Sequence, residues 1–174
     1  MDQSDLELLH CVAARQEIAE VLARYCRGID RCDANELDRV FSDDATLDYG
    51  IGPQDKASTC AALLQALGTM RLTHHRISNM IIELTGNRAK AETGCVALHI
   101  LGQPGAEVEM TVGGRYLDTL ERRDGSWRIV ERLYVMDWNR QEPATMQLEG
   151  GLYDSLRRRG GRQPNDPLYD WKIL

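Results

Sequence analysis

Ala89-Lys90-Ala91-Glu92-Thr93-Gly94-Cys95-Val96-Ala97-Leu98-His99-Ile100-Leu101 is the stretch whose reading decides the architecture. Side chains alternate between the two faces of an extended chain. Ala89, Ala91, Thr93, Cys95, Ala97 and His99 therefore share one side of a long strand. Turn chemistry bounds it at both ends, with Gly86-Asn87 before and Gly102-Gln103-Pro104-Gly105 after. Working outward, His74 to Leu84 is a second strand-like run that ends at the first of these turns. Val108 to Glu121 follows the second turn and ends at Asp124-Gly125, and Trp127 to Trp138 closes the set. Short turns between successive strands dictate an antiparallel meander. Gly113-Gly114, inside a strand pattern, marks a bulge or bend of a curved sheet.

The first half of the chain is patterned differently. Ser4 with Glu7 reads as a capping box ahead of Leu8 and Leu9. Ile18, Val21, Leu22, Tyr25, Cys26 and Ile29 then recur at helical spacing. Gly28 and Asp30 lie near the expected end of that helix. Asp33 with Glu36 opens a second helix that buries Leu37, Val40 and Phe41, and Ser42-Asp43-Asp44 breaks it. Ala45 to Tyr49 is a short strand ended by Gly50, Gly52 and Pro53. Residues 55–68 form a third helix with Cys60, Leu63, Leu64 and Leu67 inward. Helices grouped ahead of a run of strands give an α+β domain with the helices on one face of the sheet. The domain is expected over residues 1–138. Residues 139–174 form an extension whose apolar end, Leu168 to Leu174, docks on the domain or on a neighbouring subunit. Arg157-Arg158-Arg159-Gly160-Gly161-Arg162 within it is either a solvated loop or a site for an anionic substrate or partner.

Bulk properties narrow the function classes. A length of 174 residues suits one well-cored domain. A net charge of −6 argues against a nucleic-acid surface. No apolar run approaches the ~18 residues of a membrane span, and the acidic start does not read as a secretory signal. The five cysteines, Cys11, Cys26, Cys32, Cys60 and Cys95, are odd in number and form no C-x-x-C pair. That fits free thiols in a reducing compartment, hence a cytoplasmic protein, with small buried hydrophobes the ordinary reading of each.

The chemistry gathers around the small-residue strand. A strand packed under a helix usually carries Val, Ile or Leu; a face of Ala, Thr and Cys leaves a cavity unless a large helix residue fills it. His75, Ile77, Asn79 and Ile81 share one face of the preceding strand. His75 and His99 lie 11 and 12 residues from the Gly86-Asn87 turn, so antiparallel pairing makes them neighbours at the open end of the hairpin. Asp30 is the candidate acid. Tyr25 stands five residues earlier, about 500° around a regular helix, so the two converge only if the helix ends or distorts near Gly28. Asp33 has a competing task as a helix cap. Tyr49 is a second candidate phenol. Two histidines and a carboxylate also compose a donor set for a metal, although no element supplies the carboxylate in an obvious register. No P-loop, G-x-G-x-x-G or G-x-S-x-G motif is present.

Taken together, Tyr25 with Asp30-x-x-Asp33, Val40-Phe41-Ser42-Asp43-Asp44-Ala45, His75-x-x-x-Asn79, Gly114-Arg115-Tyr116-x-Asp118 and Asp124-Gly125-x-Trp127-Arg128-Ile129 resemble the SnoaL-like family of the nuclear transport factor 2-like superfamily. The resemblance covers roughly residues 8–138. It implies a cone-shaped, curved antiparallel sheet wrapped by three helices (a cystatin-like fold), usually as a homodimer or homotrimer. Asp30, Tyr49, His75 and His99 follow the order of the site residues of scytalone dehydratase. Tyr25 resembles a site tyrosine of bile acid 7-alpha-dehydratase. Ile29 departs from the first pattern, where a tyrosine stands, and His99 from the second, where an aspartate stands.

The resemblance implies a cofactor-independent acid–base enzyme, with no metal, that removes water from a small apolar cyclic hydroxy-carbonyl compound. Its catalytic residues would be His75, Asp30, Tyr25, Tyr49 and His99. Asn79, Ala97, Cys95 and Tyr116 would line the substrate site. The same groups suit a ketosteroid-isomerase-like isomerase or a polyketide cyclase. A non-catalytic binding or accessory subunit is the reading from a different class. Epoxide hydrolysis would want further carboxylate, Asn and Arg groups, and Asp118 and Arg115 face opposite ways on their strand.

Overall fold

The computed structural model describes residues 2–171. Helix α1 spans Gln3–Arg31. It begins two residues earlier than Ser4 and Glu7 suggest, because Asp2 and Asp5 satisfy each other's backbone N–H groups in a reciprocal cap. It ends at Cys32, which turns left-handed with φ of 51°. Asp33 caps α2 (Ala34–Val40) through the N–H groups of Asn35 and Glu36, as its position predicts. Strand β1 (Phe41–Asp48) follows directly, so Ser42 to Asp44 belong to an irregular strand rather than to a break. A two-residue strand β2 (Gln54–Asp55) leads into α3 (Lys56–Gly68), where Leu67 is buried and Cys60, Leu63 and Leu64 are half-buried.

The meander comprises β3 (Leu72–Thr85), β4 (Arg88–Leu101), β5 (Val108–Arg123) and β6 (Ser126–Pro143), paired antiparallel in succession. The six strands run in the order β2-β1-β6-β5-β4-β3. One feature differs from an all-antiparallel sheet: β1 lies parallel to β6. A parallel pair needs a long crossover connection, and the chain from β1 through α3 and strands β3 to β5 supplies it. The sheet is thus mixed, curved and open, and the fold is α+β.

Besides the irregular stretch of β1 between Phe41 and Thr46, three bulges shape its meander. One lies opposite Gly113 and Gly114 of β5, where Asp137 of β6 is the extra residue, so the tandem glycines mark the irregularity but the partner strand carries the bulge; an added Cβ on Gly114 would stand 2.3 Å from the Val135 carbonyl oxygen. A second, near Asn79 (φ 48°), shifts the phase of β3. A third falls at Val130 of β6. The core lies between α1 and the inner face of the sheet. Ile18, Leu22, Tyr25 and Ile29 of α1 are buried with Phe41, Leu47, Ala89, Ala91, Leu120 and Ile129. Strand β6 runs five residues past 138, so the extension starts beyond Pro143. It carries two short 3-10 turns, Gly151–Ser155 and Pro167–Tyr169. Residues 172–174 of its apolar end lie outside the described residues. No helix among the described residues is long and apolar enough to cross a membrane.

Candidate active site

The β3–β4 register pairs His75 with Ala97 and Thr73 with His99, so the two histidines sit diagonally. Their rings meet edge to face, 5.2 Å between centroids. Asp30 reaches them from the last turn of α1. Its Oδ2 accepts the His75 backbone N–H at 2.8 Å, and its Oδ1 lies 2.7 Å from His75 Nδ1. Both side chains are only 8% exposed. The carboxylate thus fixes both the strand position and the ring of His75. With Nδ1–H donated to Asp30, a neutral imidazole presents the Nε2 lone pair, and Nε2 has no hydrogen-bond partner among the described residues.

His99 is different. Burial, and next the nearness of His75, lower it to about 4, so it is uncharged at neutral pH. Its Nδ1 is buried without a partner, as is Thr93 Oγ1.

Tyr25 and Asp30 do not converge. Helix α1 stays regular through both, which places them about 7.5 Å apart along its axis and on different faces. Tyr25 instead joins a phenol cluster. Its hydroxyl lies 2.7 Å from that of Tyr49, and its ring meets Tyr116 edge-on at 5.3 Å. Cys95 Sγ–H points to the Tyr116 hydroxyl at 3.4 Å. Burial raises all three phenols, so each stays protonated and able to donate. Burial likewise pushes the thiols of Cys26 and Cys60 up to about 12 and about 11, so neither supplies a thiolate at neutral pH.

Arg132 organises this cluster, and sequence reading overlooks it. Its guanidinium stacks 3.9 Å from the Tyr25 ring and 4.2 Å from the Tyr116 ring, and Nη1 lies 3.5 Å from the Tyr49 hydroxyl. Asp118 holds it by two bonds of 2.7 and 2.8 Å, with both side chains fully buried. Burial works against the charge of Arg132, but Asp118 together with Tyr49 and Tyr25 more than offsets it and keeps the group cationic. Strict alternation from Trp127 and Ile129 would turn Arg132 outward. The bulge at Val130 resets the phase and turns it in. Asp118 does help, through this partner, whereas Arg115 faces outward to Asp137 and Glu92.

The other expected residues divide. Ala97 and Cys95 lie on the inner face with Ala89 and Ala91, all buried in one cluster with the α1 side chains, and Thr93 of the same face is buried as well. Asn79 does not join them. The bulge leaves it exposed, turns Ile81 outward at 61% exposure and brings Ile82 inside instead. A cavity of about 330 Å³ opens between β1 and α3. It is lined by Leu47, Tyr49, Ile51, Ala62, Leu63 and Ala66, with Gln54, Ser58 and Thr59 as its polar members. A larger one of about 590 Å³ lies under the extension and includes Asp30, Thr73 and His74 in its wall. Among the described residues, no group of three or more His, Cys, Asp or Glu is placed to hold a metal ion.

The arrangement offers a base held by a carboxylate at one end, and phenol donors backed by a buried cation at the other. Solved structures share its frame. A hexachlorocyclohexane dehydrochlorinase, LinA-type3 of Novosphingobium barchaimii, superposes with a TM-score of 0.70 at 19% identity, over 82% of this chain and 99% of that one. A candidate scytalone dehydratase of Novosphingobium aromaticivorans gives 0.66 at 21% identity, over 82% and 93%. A nuclear transport factor 2-like superfamily protein of Salmonella enterica gives 0.63 at 22%, over 81% and 99%. Identities this low speak for the fold alone. Among curated sequences, an uncharacterized protein of Mycobacterium tuberculosis is 30% identical over 138 residues, 76% of this chain and 91% of its own length. The SnoaL-like domain model matches residues 11–133. The chain belongs to the SnoaL-like domain family.

Proposed function

We propose that this protein is a cofactor-independent acid–base enzyme that eliminates water from a small, apolar, cyclic β-hydroxy carbonyl compound. The observation that carries the reading is the double bond from Asp30 to His75, through backbone N–H and Nδ1. Such an arrangement fixes the tautomer and stabilises the imidazolium once it forms. Nε2 of His75 takes the proton beside the carbonyl. The Tyr25–Tyr49 pair, polarised by Arg132, donates to the oxygen on which charge develops. The proton now on His75 returns to the leaving hydroxyl, a task that uncharged His99 does not share. The apolar cavity beside Tyr49 suits a hydrocarbon ring. Two structural neighbours carry names that denote eliminations, a dehydrochlorinase and a candidate dehydratase.

The test is a panel of cyclic β-hydroxy ketones, followed by the ultraviolet absorbance of the conjugated product and by mass. Loss of 18 mass units marks dehydration; a shifted double bond at constant mass marks isomerisation; binding without turnover marks an accessory role. With a substrate in hand, His75→Ala and Asp30→Asn should each lower kcat by about 10² to 10⁴. Near-full activity in both variants sinks the assignment.

A further inference from the structure

The carboxylate of Asp30 sits where a helix is least constrained. The last four carbonyls of an α-helix have no partner within it. In α1 the carbonyls of Gly28 and Ile29 are met by the Cys32 and Asp33 N–H groups of the following turn. Among the described residues, those of Asp30 and Arg31 are met only from the extension. Arg162 donates from Nη1 to the Asp30 carbonyl oxygen, and the Gln163 N–H donates to that of Arg31 at 2.8 Å.

The same guanidinium ties three elements together. Nη1 also donates to Thr73 Oγ1 at 2.7 Å, two residues ahead of His75 on β3. Nη2 donates to the carbonyl oxygens of Leu67 and Met70 at 2.9 and 3.4 Å, at the end of α3. One planar fork thereby joins the residue that carries the acid to the strand that carries the base. A cation at a helix C-terminus is also favoured by the carbonyl dipoles. The segment that presents Arg162 is itself pinned. Asp166 accepts the N–H groups of Gly161 and Leu168 and pairs with Arg31 at 2.9 Å. The Tyr169 hydroxyl donates to Asp33 Oδ2 at 2.8 Å, on the residue that caps α2. The groups this segment ties lie within residues 11–133, which the SnoaL-like domain model matches, whereas Arg162, Asp166 and Tyr169 lie beyond them.

We propose that residues 160–170 are a strap that sets the geometry of the His75–Asp30 pair, with Arg162 its positioning residue. This rests on reading that pair as the active one, but its test needs no substrate. The Nδ1–H proton of His75, held by a 2.7 Å bond to a carboxylate, should give a downfield proton resonance protected from exchange with water. His75→Asn identifies it by removing it.

Arg162→Ala is expected to broaden or lose that resonance while circular dichroism shows the fold retained. Arg162→Lys, which keeps the charge but lacks the fork, should restore it only in part. Arg159→Ala serves as control, because Arg159 bonds only the Leu148 and Tyr153 carbonyls of its own segment; it should leave the resonance untouched. If Arg162→Ala does not fold, Thr73→Val cuts the single tie to β3 and should speed exchange of the same proton at least several-fold. A resonance unchanged in line width and exchange rate in folded Arg162→Ala, or in Thr73→Val where that is the variant that folds, overturns the proposal. Loss of the signal in Arg159→Ala to the same degree overturns it as well.

Discussion

Replacing Asp118 by Asn should be among the most damaging single-atom changes this chain can undergo. The carboxylate and the Arg132 guanidinium are both wholly inaccessible and joined by two bonds of 2.7 and 2.8 Å. Asparagine keeps the shape and one acceptor but removes the charge, which leaves a buried cation without its counter-ion. Removing one member of a buried pair typically costs ~3–5 kcal/mol, and the retained acceptor places the expected loss near ~3 kcal/mol. In a chain of this size each kcal/mol moves Tm by about 2–4 °C, so a fall of about 6–12 °C follows. Urea unfolding monitored by tryptophan fluorescence measures it directly. The double variant Asp118→Leu with Arg132→Met removes both charges and should recover most of the loss, because the penalty belongs to the unpaired ion rather than to the missing bonds. Stability of Asp118→Asn within 1 kcal/mol of the parent, or a double variant no better than the single one, would refute this account of the phenol cluster's foundation.

His99 predicts a pH dependence of definite sign. Its folded value of about 4 lies below the ordinary 6.5; above pH 6.5 both folded and unfolded chains hold it neutral, and it contributes nothing. As pH falls from 6.5 towards 4 the unfolded chain takes up a proton that the folded one refuses, so stability declines across that window. His99→Gln should flatten that part of the curve in urea titrations at pH 7 and pH 4.5, and an unchanged slope would contradict it. Opposite the Asp137 bulge of β6, Gly114→Ala should cost about 1–3 kcal/mol, since the new Cβ meets backbone 2.3 Å away. Gly28→Ala would meet side-chain atoms rather than backbone, Leu37 Cδ2 at 2.9 Å and Leu37 Cγ and Glu36 Cβ at 3.3 Å, and gains helix propensity, so chemical denaturation should find it milder than Gly114→Ala.

How far each part was legible follows from the range of the signal it depends on. The Ala89-to-His99 alternation and its bounding turns are local, and β4 matches them, with its small-residue face buried. His75 and His99 do end as neighbours, as counting from the turn suggests, but the count crosses the bulge near Asn79: an unshifted register would set His75 opposite Leu98, and the bulge sets it opposite Ala97, on the face that carries His99. Counting fails beyond a bulge. Asn79 sits at one, and the inward face continues at Ile82 rather than Ile81. Arg132 lies past another, so the residue around which Tyr25, Tyr49 and Tyr116 gather escaped notice. A bulge adds one unpaired residue, and a period of two turns that into a reversal of every side chain that follows.

Sequence alone determined the class of the fold, the meander, the Asp33 cap and the candidates Asp30, His75 and His99, because propensity, turn chemistry and short-range pairing act within a few residues of one another. Only the tertiary structure decided which candidates meet. It joined Asp30 to His75 across 45 residues and Tyr25 to Tyr49 across 24, laid β1 parallel to β6, and brought Arg162 back over 132 residues to the end of α1. Those partnerships depend on where whole elements pack, and packing is a property of the assembled core rather than of any window along the chain.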